Sequence, residues 1–123
     1  MIRTILLIGL GGGIGSIFRY FTSVIVQKYY AAIFPLATFI ANILGCLIIG
    51  ITLGYLEKNQ LMNSNLKWFL ITGFCGGYTT FSTFGHENIS LLQSNNAGMM
   101  FLYIGTSILL GLFAVWLGLF LAK

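Results

Sequence analysis

The side chains best suited to chemistry in this chain lie together in Gly73-Phe74-Cys75-Gly76-Gly77-Tyr78-Thr79-Thr80-Phe81-Ser82-Thr83-Phe84. Three glycines come within five residues, four Ser and Thr hydroxyls follow, and Phe81 and Phe84 stand three positions apart. The stretch is poorly suited to an unbroken helix, yet it sits in the middle of a membrane-length apolar segment. In lipid, backbone that leaves the helix must be buried in protein or line a polar cavity. A break at that depth points to an ion or substrate site. The half-helix from about Leu66 to Cys75 is expected to aim unpaired carbonyls at the gap, and the half beginning near Thr79 to aim N–H groups there. The carbonyls of Gly76 and Thr79 suit a small hard cation such as Na+. One chain offers too few oxygens for a complete shell, whereas two chains crossing at this point would supply four.

Other residues could extend a polar track. Thr38 and Asn42 lie four apart on one helix face, and a buried Asn needs partners for both its carbonyl and its amide. Asn42 reads either as interhelical glue or as an N–H donor to an anion. Tyr103, Thr106 and Ser107 form a hydroxyl patch at i, i+3 and i+4, which Ser82 and Thr83 supplement. Phe81 and Phe84 read as core or lipid-facing side chains, or as rings whose positive edges stabilise a small anion weakly. Weak, repeated binding is what conduction requires. Arg19 reads either as an interfacial anchor or as a cation that concentrates anions in a water-filled vestibule.

The absences narrow the chemistry. Cys46 and Cys75 fall in apolar segments with no His or carboxylate at ligand spacing, so they read as small core residues. His86 adjoins Glu87, but neighbours in sequence do not share a helix face. There is no Asp, and the two Glu residues, Glu57 and Glu87, are expected near the interfaces, leaving the polar track free of carboxylates. No nucleophile–base pair, phosphate loop or metal motif is present, so enzymatic activity is not expected.

The elements that must position these residues are membrane helices. The chain has 123 residues, is 58% hydrophobic and carries eight formal charges, far below the roughly one quarter of a soluble domain. The net charge of +4 comes without a basic cluster, so no nucleic-acid partner is expected. Apolar segments recur along the chain, and the first is too long and glycine-rich for a cleaved leader. Four segments reach the roughly 20 residues a bilayer requires: about 4–26, 36–56, 66–92 and 99–121, in one membrane domain covering 1–123. Their short links imply alternating directions and both termini on one side. Arg3, Lys58, Lys67 and Lys123 fall on the terminal side against Lys28 and Arg19, which favours N-in and C-in. Gly9 with Gly13, Gly11 with Gly15, Gly50 with Gly54, and Ala114 with Gly118 have the four-residue spacing of tight helix packing. A bundle that compact leaves no wide pore within one chain, so conduction calls for a second subunit.

The segment Gly73 to Phe84 resembles the signature of the CrcB/Fluc fluoride channels, as do the glycine-rich run ending in Arg19-Tyr20 and the stretch from Thr38 to Gly45 containing Asn42. The resemblance covers all four spans. It implies an all-α membrane protein with a broken third helix, assembling as an antiparallel, dual-topology homodimer with two fluoride pathways in the cell inner membrane. It implies that Gly76 and Thr79 give carbonyls to a central structural Na+. Phe81 and Phe84 correspond to the aromatic pair of each pore, Asn42 to a vestibule amide, and Tyr103 and Ser107 to the polar side of the fourth helix. Arg19 would fall near the vestibule. Gly111 departs from the pattern, where a further hydroxyl is expected.

The expected function is therefore passive, fluoride-selective export that relieves toxicity, with membrane lipid as surroundings and fluoride as the passenger. A small multidrug exporter is an alternative, but it needs a carboxylate in the first span, which this chain lacks. A non-transporting assembly subunit is the other, for which the glycine packing alone suffices.

Overall fold

The computed structural model describes residues 1–123 and is helical throughout, with no strand. Helix α1 spans Ile2–Tyr29, α2 Leu36–Lys58, α4 Phe81–Gln93 and α5 Ala97–Ala122. Between α2 and α4 lies α3, residues 65–78, whose pieces are Asn65–Lys67, a π-helical section Trp68–Cys75, and Gly76–Tyr78. Three helices, α1, α2 and α5, are long and apolar enough to cross a membrane. At 1.5 Å per residue even the 23 residues of α2 exceed the roughly 30 Å hydrocarbon thickness. Large apolar side chains such as Leu6, Leu10, Phe21, Leu109 and Phe120 are exposed along α1 and α5, as helices bathed in lipid require. The chain is a multi-pass membrane protein.

The break is narrower than the glycine run suggested. Only Thr79 (φ −83°, ψ 158°) and Thr80 (φ −151°, ψ 122°) are extended. Gly73, Gly76 and Gly77 remain helical, and no glycine has positive φ. Gly73 and Gly77 therefore serve close approach rather than backbone freedom. A Cβ at Gly77 would run into the carbonyl oxygen of Gly12, one at Gly11 into that of Phe69, and one at Gly15 into that of Phe74. In water each interior glycine would cost about 1 kcal/mol of helix stability. In lipid the helix is enforced by the lack of any other hydrogen-bond partner, and the small residues let two backbones touch.

Two parallel helix pairs result. Helices α1 and α3 pack with Gly11, Gly12 and Gly15 against Phe69, Gly73, Phe74 and Gly77, while Phe18 meets Phe74 edge-on and the Thr22 and Tyr78 hydroxyls pair at 2.9 Å. Helices α2 and α5 pack with Gly50 on Val115 and Gly118, Gly54 on Leu119 and Ala122, and Gly111 beside Cys46 and Ile43. Gly111 thus faces α2, and its lack of a hydroxyl is filled by packing. The spacing of Gly9 and Gly13 marks no contact within the chain, because a Cβ added at either would meet nothing within 4 Å. At the surfaces, α2 and α4 each end in a Schellman-type turn with Gln60 (φ 57°) and Asn95 (φ 60°) left-handed, closed by Leu61 N–H to the Leu56 carbonyl and Asn96 N–H to that of Leu91, both at 2.8 Å. Lys123 reaches Glu57 at 4.0 Å, an exposed pair of little consequence for stability.

These contacts separate glycines that look alike in sequence. Gly11→Ala or Gly77→Ala is expected to destabilise the detergent-solubilised protein by about 1–3 kcal/mol through overpacking. Gly9→Ala and Gly13→Ala should leave the melting temperature unchanged or slightly raised. Thermal unfolding of the four variants checks the contrast.

Candidate functional site

The site is built on Thr79 and Thr80. Two extended residues free the last carbonyls of α3 and the first N–H groups of α4, and each must be satisfied in a medium without water. Asn42 on α2 takes both backbone groups of Thr80: its Oδ1 accepts the Thr80 N–H at 2.8 Å, and its Nδ2 donates to the Thr80 carbonyl at 3.1 Å. The glue reading of Asn42 thus holds, with one amide N–H left over toward the cavity that Asn42 lines. Thr80 Oγ1 caps α4 by accepting the Thr83 N–H at 3.3 Å and also bonds the Thr83 hydroxyl at 3.2 Å. Ser82 Oγ lies 3.3 Å from the same atom. Thr79 Oγ1 donates to the Cys75 carbonyl at 2.8 Å, and its methyl occupies the space that a side chain at Gly45 would need.

Unmatched groups remain on both sides of the break. The N–H groups of Phe81 and Ser82 find no acceptor in the chain, and they form the positive end of α4. The Gly76 carbonyl takes no hydrogen bond, stands exposed and has open space around its α-carbon. The Thr79 carbonyl accepts a long 3.4 Å bond from Arg19 Nη1. For a hard cation, then, Gly76 offers a free oxygen of suitable chemistry, while Thr79 shares its oxygen with a guanidinium. No cluster of three or more His, Cys, Asp or Glu exists for another kind of metal.

Two cavities flank the break. The larger, about 380 Å³, is lined by Asn42, Cys46, Gly76, Thr79, Phe81, Phe84 and Ser107 among others. It opens on a surface where Phe81 is 83% exposed. Ser107 Oγ is buried without a partner, so its hydroxyl proton is available. Thr106, by contrast, bonds the Leu102 carbonyl at 2.6 Å and drops out of the hydroxyl track. The second cavity, about 270 Å³, is lined by Ser16, Arg19, Tyr20, Ser23, Thr38, Thr80 and Thr83. Arg19 joins hydroxyl side chains there in a polar recess reaching the break.

One expectation is overturned. The polar track is not free of carboxylates, because Glu87 stands on it. It lies six residues into α4, about 9 Å along the axis from the break, and both its oxygens are engaged. Thr38 Oγ1 donates to Oε1 at 2.6 Å and Tyr103 Oη donates to Oε2 at 2.8 Å. Tyr103 has no exposed surface, and Phe84 packs edge-on against it at 4.9 Å and beside Phe81 at 5.8 Å. The sequence-predicted residues are thus brought together as a ladder, Phe81–Phe84–Tyr103, with the Thr38 and Tyr103 hydroxyls turned onto a carboxylate. Thr80, Glu87, Ser16 and Ser23 were missed. Thr80 was legible as a helix cap three residues before Thr83, but Glu87 carries no signal beyond its place near the end of an apolar run.

Packed apolar helices, a hydrogen-bond-clamped break, free donors and a polar recess define a membrane protein built to handle a small ion. The comparisons agree. Residues 6–119 match the family described as CrcB-like protein, Camphor Resistance (CrcB), and the chain belongs to that family. A fluoride-specific ion channel FluC of Flavobacterium psychrophilum is 57% identical over 121 residues, covering 98% of both chains. Those of Azobacteroides pseudotrichonymphae and Nitratidesulfovibrio vulgaris are 46% and 43% identical, covering 100% and 95% of this chain and 98% and 94% of theirs.

The clamp can be tested separately from transport. Asn42→Ala leaves the Thr80 N–H and carbonyl unpaired, at about 1–3 kcal/mol for each buried group. Asn42→Asp sets a carboxylate oxygen against the Thr80 carbonyl. Both variants should melt well below wild type in detergent, with Asn42→Asp at least as impaired; melting at the wild-type temperature would remove Asn42 from this role.

Proposed function

We propose that this chain is a passive fluoride channel of the inner membrane, letting cytoplasmic fluoride leave the cell. The observation that carries the reading is the clamped break at Thr79–Thr80, which gathers unpaired hydrogen-bond donors inside a membrane protein whose relatives bear the name fluoride-specific ion channel. Fluoride is small and strongly hydrated, so a path must replace its water with several donors at close range. The N–H groups of Phe81 and Ser82, the hydroxyls of Ser82, Thr83 and Ser107 and the remaining amide proton of Asn42 supply them. The positive ring edges of Phe81 and Phe84 add weak stations between. The recess holding Arg19 and Thr38 draws anions toward the break. Beyond Phe84 an anion meets Thr38 and Tyr103, whose protons point at Glu87; it is held there only when the carboxylate yields them. No energy coupling is required.

The same reading takes α3 and α4 as one broken span, the third of four, and the channel as an antiparallel, dual-topology homodimer. A free Gly76 carbonyl and the free N–H groups of Phe81 and Ser82, beside an open cavity, support a second copy there, because lipid satisfies none of these polar groups. In such a dimer the Gly76 and Thr79 carbonyls of both copies would hold a central structural Na+, whose charge would fix the crossing point rather than enter conduction.

Purified protein in liposomes should release internal fluoride down its gradient while retaining chloride, in the absence of any proton gradient. Chloride release at a comparable rate, or no fluoride release, would refute the reading. Phe81→Ile and Phe84→Ile, which keep apolar volume but lose the ring edge, should lower the fluoride rate by roughly tenfold or more, about 1.4 kcal/mol of barrier, with assembly intact on size-exclusion chromatography. Unchanged rates would reduce both rings to packing.

A further inference from the structure

We propose that Phe34, in the loop between α1 and α2, is a positioning residue that sets ion selectivity by holding Tyr103 in place and closing its cluster against water. This rests on the fluoride-channel reading above. Phe34 stands outside every helix, yet a tight turn anchors it. Pro35 (φ −75°, ψ 67°) forms an inverse γ-turn, closed by Leu36 N–H donating to the Phe34 carbonyl at 2.7 Å. The proline ring locks φ, so the Phe34 backbone is fixed just ahead of α2.

From there the ring packs edge-on against two neighbours, Phe39 at 5.3 Å and 73° and Tyr103 at 5.3 Å and 74°. Tyr103 receives Phe84 edge-on as well, at 4.9 Å and 61°. The Tyr103 ring is thus held by Phe34 and Phe84, and its hydroxyl is aimed at Glu87. Thr38, which holds the other oxygen of Glu87, lies four residues after Phe34, in the first turn of α2. Phe34 is the aromatic wall of this cluster on the loop side, and Tyr103 is without exposed surface partly because Phe34 stands there.

The consequence concerns discrimination more than rate. Chloride is larger and gives up water more readily than fluoride, so fluoride is preferred only where donors are held close together and water is kept out. A Tyr103 free to turn relaxes that spacing and admits water from the loop side. Phe34 would then govern the fluoride-to-chloride ratio without touching the ion.

Release of both ions from liposomes is measured for wild type, Phe34→Ala and Phe34→Leu. Wild type comes first: failure to release fluoride would refute the channel reading, and with it the basis for any role of Phe34 in selectivity. With wild type active, Phe34→Ala is expected to raise the chloride-to-fluoride rate ratio by roughly tenfold or more, about 1.4 kcal/mol in relative barrier. Phe34→Leu, which keeps most of the volume but removes the ring edge, should show a smaller rise. The ratio is independent of how much protein assembles, so a merely structural role leaves it unmoved. A wild-type ratio in Phe34→Ala overturns the proposal whatever happens to the absolute rate. If the alanine variant does not assemble, a wild-type ratio in Phe34→Leu overturns it equally.

Discussion

Everything in this molecule depends on keeping two extended residues stable where water is absent. An unpaired backbone group in hydrocarbon costs several kcal/mol, and the break at Thr79–Thr80 creates several. Asn42 answers for the Thr80 N–H and carbonyl together, and the Thr80 hydroxyl caps the helix that follows. That solution places demands on the surrounding packing. Helix α2 must come close enough for Asn42 to reach, so Gly45 lacks the side chain that would strike Thr79. Helix α3 must be held on its other side, where Gly73 and Gly77 lie against Gly11 and Gly12. The small residues follow from the break, and the break supplies the site.

The groups left over after this accounting are those that can act on an ion. They sort by sign. The start of α4, Arg19 and the hydroxyls of the recess offer protons to an anion, and the Gly76 carbonyl offers an oxygen to a cation. Glu87 complicates a simple picture of an anion path lined only by donors. Its two oxygens orient the Thr38 and Tyr103 hydroxyls toward one point, which organises donors but also occupies them. A carboxylate beside an anion route opposes the anion by Coulomb repulsion, strongly so at low dielectric. In the proposed channel its hydrogen-bonded position would make it a control point, with the aromatic packing around Tyr103 setting how firmly that point is held.

Much of this was legible in the chain. The apolar runs located the three long helices to within a few residues, because lipid leaves a run of that length no other structure. The polar interruption marked the break, and the four-residue spacing in α2 and α5 marked their contact. What misled was local. Gly73, Gly76 and Gly77 read as helix breakers, yet the absence of water, and for Gly73 and Gly77 the neighbouring helix, keep them helical, and the break falls two residues beyond Gly77. Gly9 and Gly13 share the spacing of Gly11 and Gly15 but lie on the open face of α1, and spacing alone does not say which face meets a partner. Glu87 read as lying off the track because a charge near the end of an apolar run normally does. Its place on the track depends on hydrogen bonds from Thr38 and Tyr103, 49 and 16 positions away, which no local pattern connects. Phe34 read as loop, and only the turn at Pro35 and the rings around it give it a place.

The central claim is that donors gathered at the clamped break pass fluoride in preference to other ions. A reversal potential tests it most directly, with the purified chain in a planar bilayer, fluoride at different concentrations on the two sides, and chloride and sodium balancing the rest. The potential should follow the fluoride gradient, about 59 mV for each tenfold ratio of a singly charged ion, and remain indifferent to chloride. A potential that follows chloride or sodium, or that stays at zero across a fluoride gradient, would contradict it.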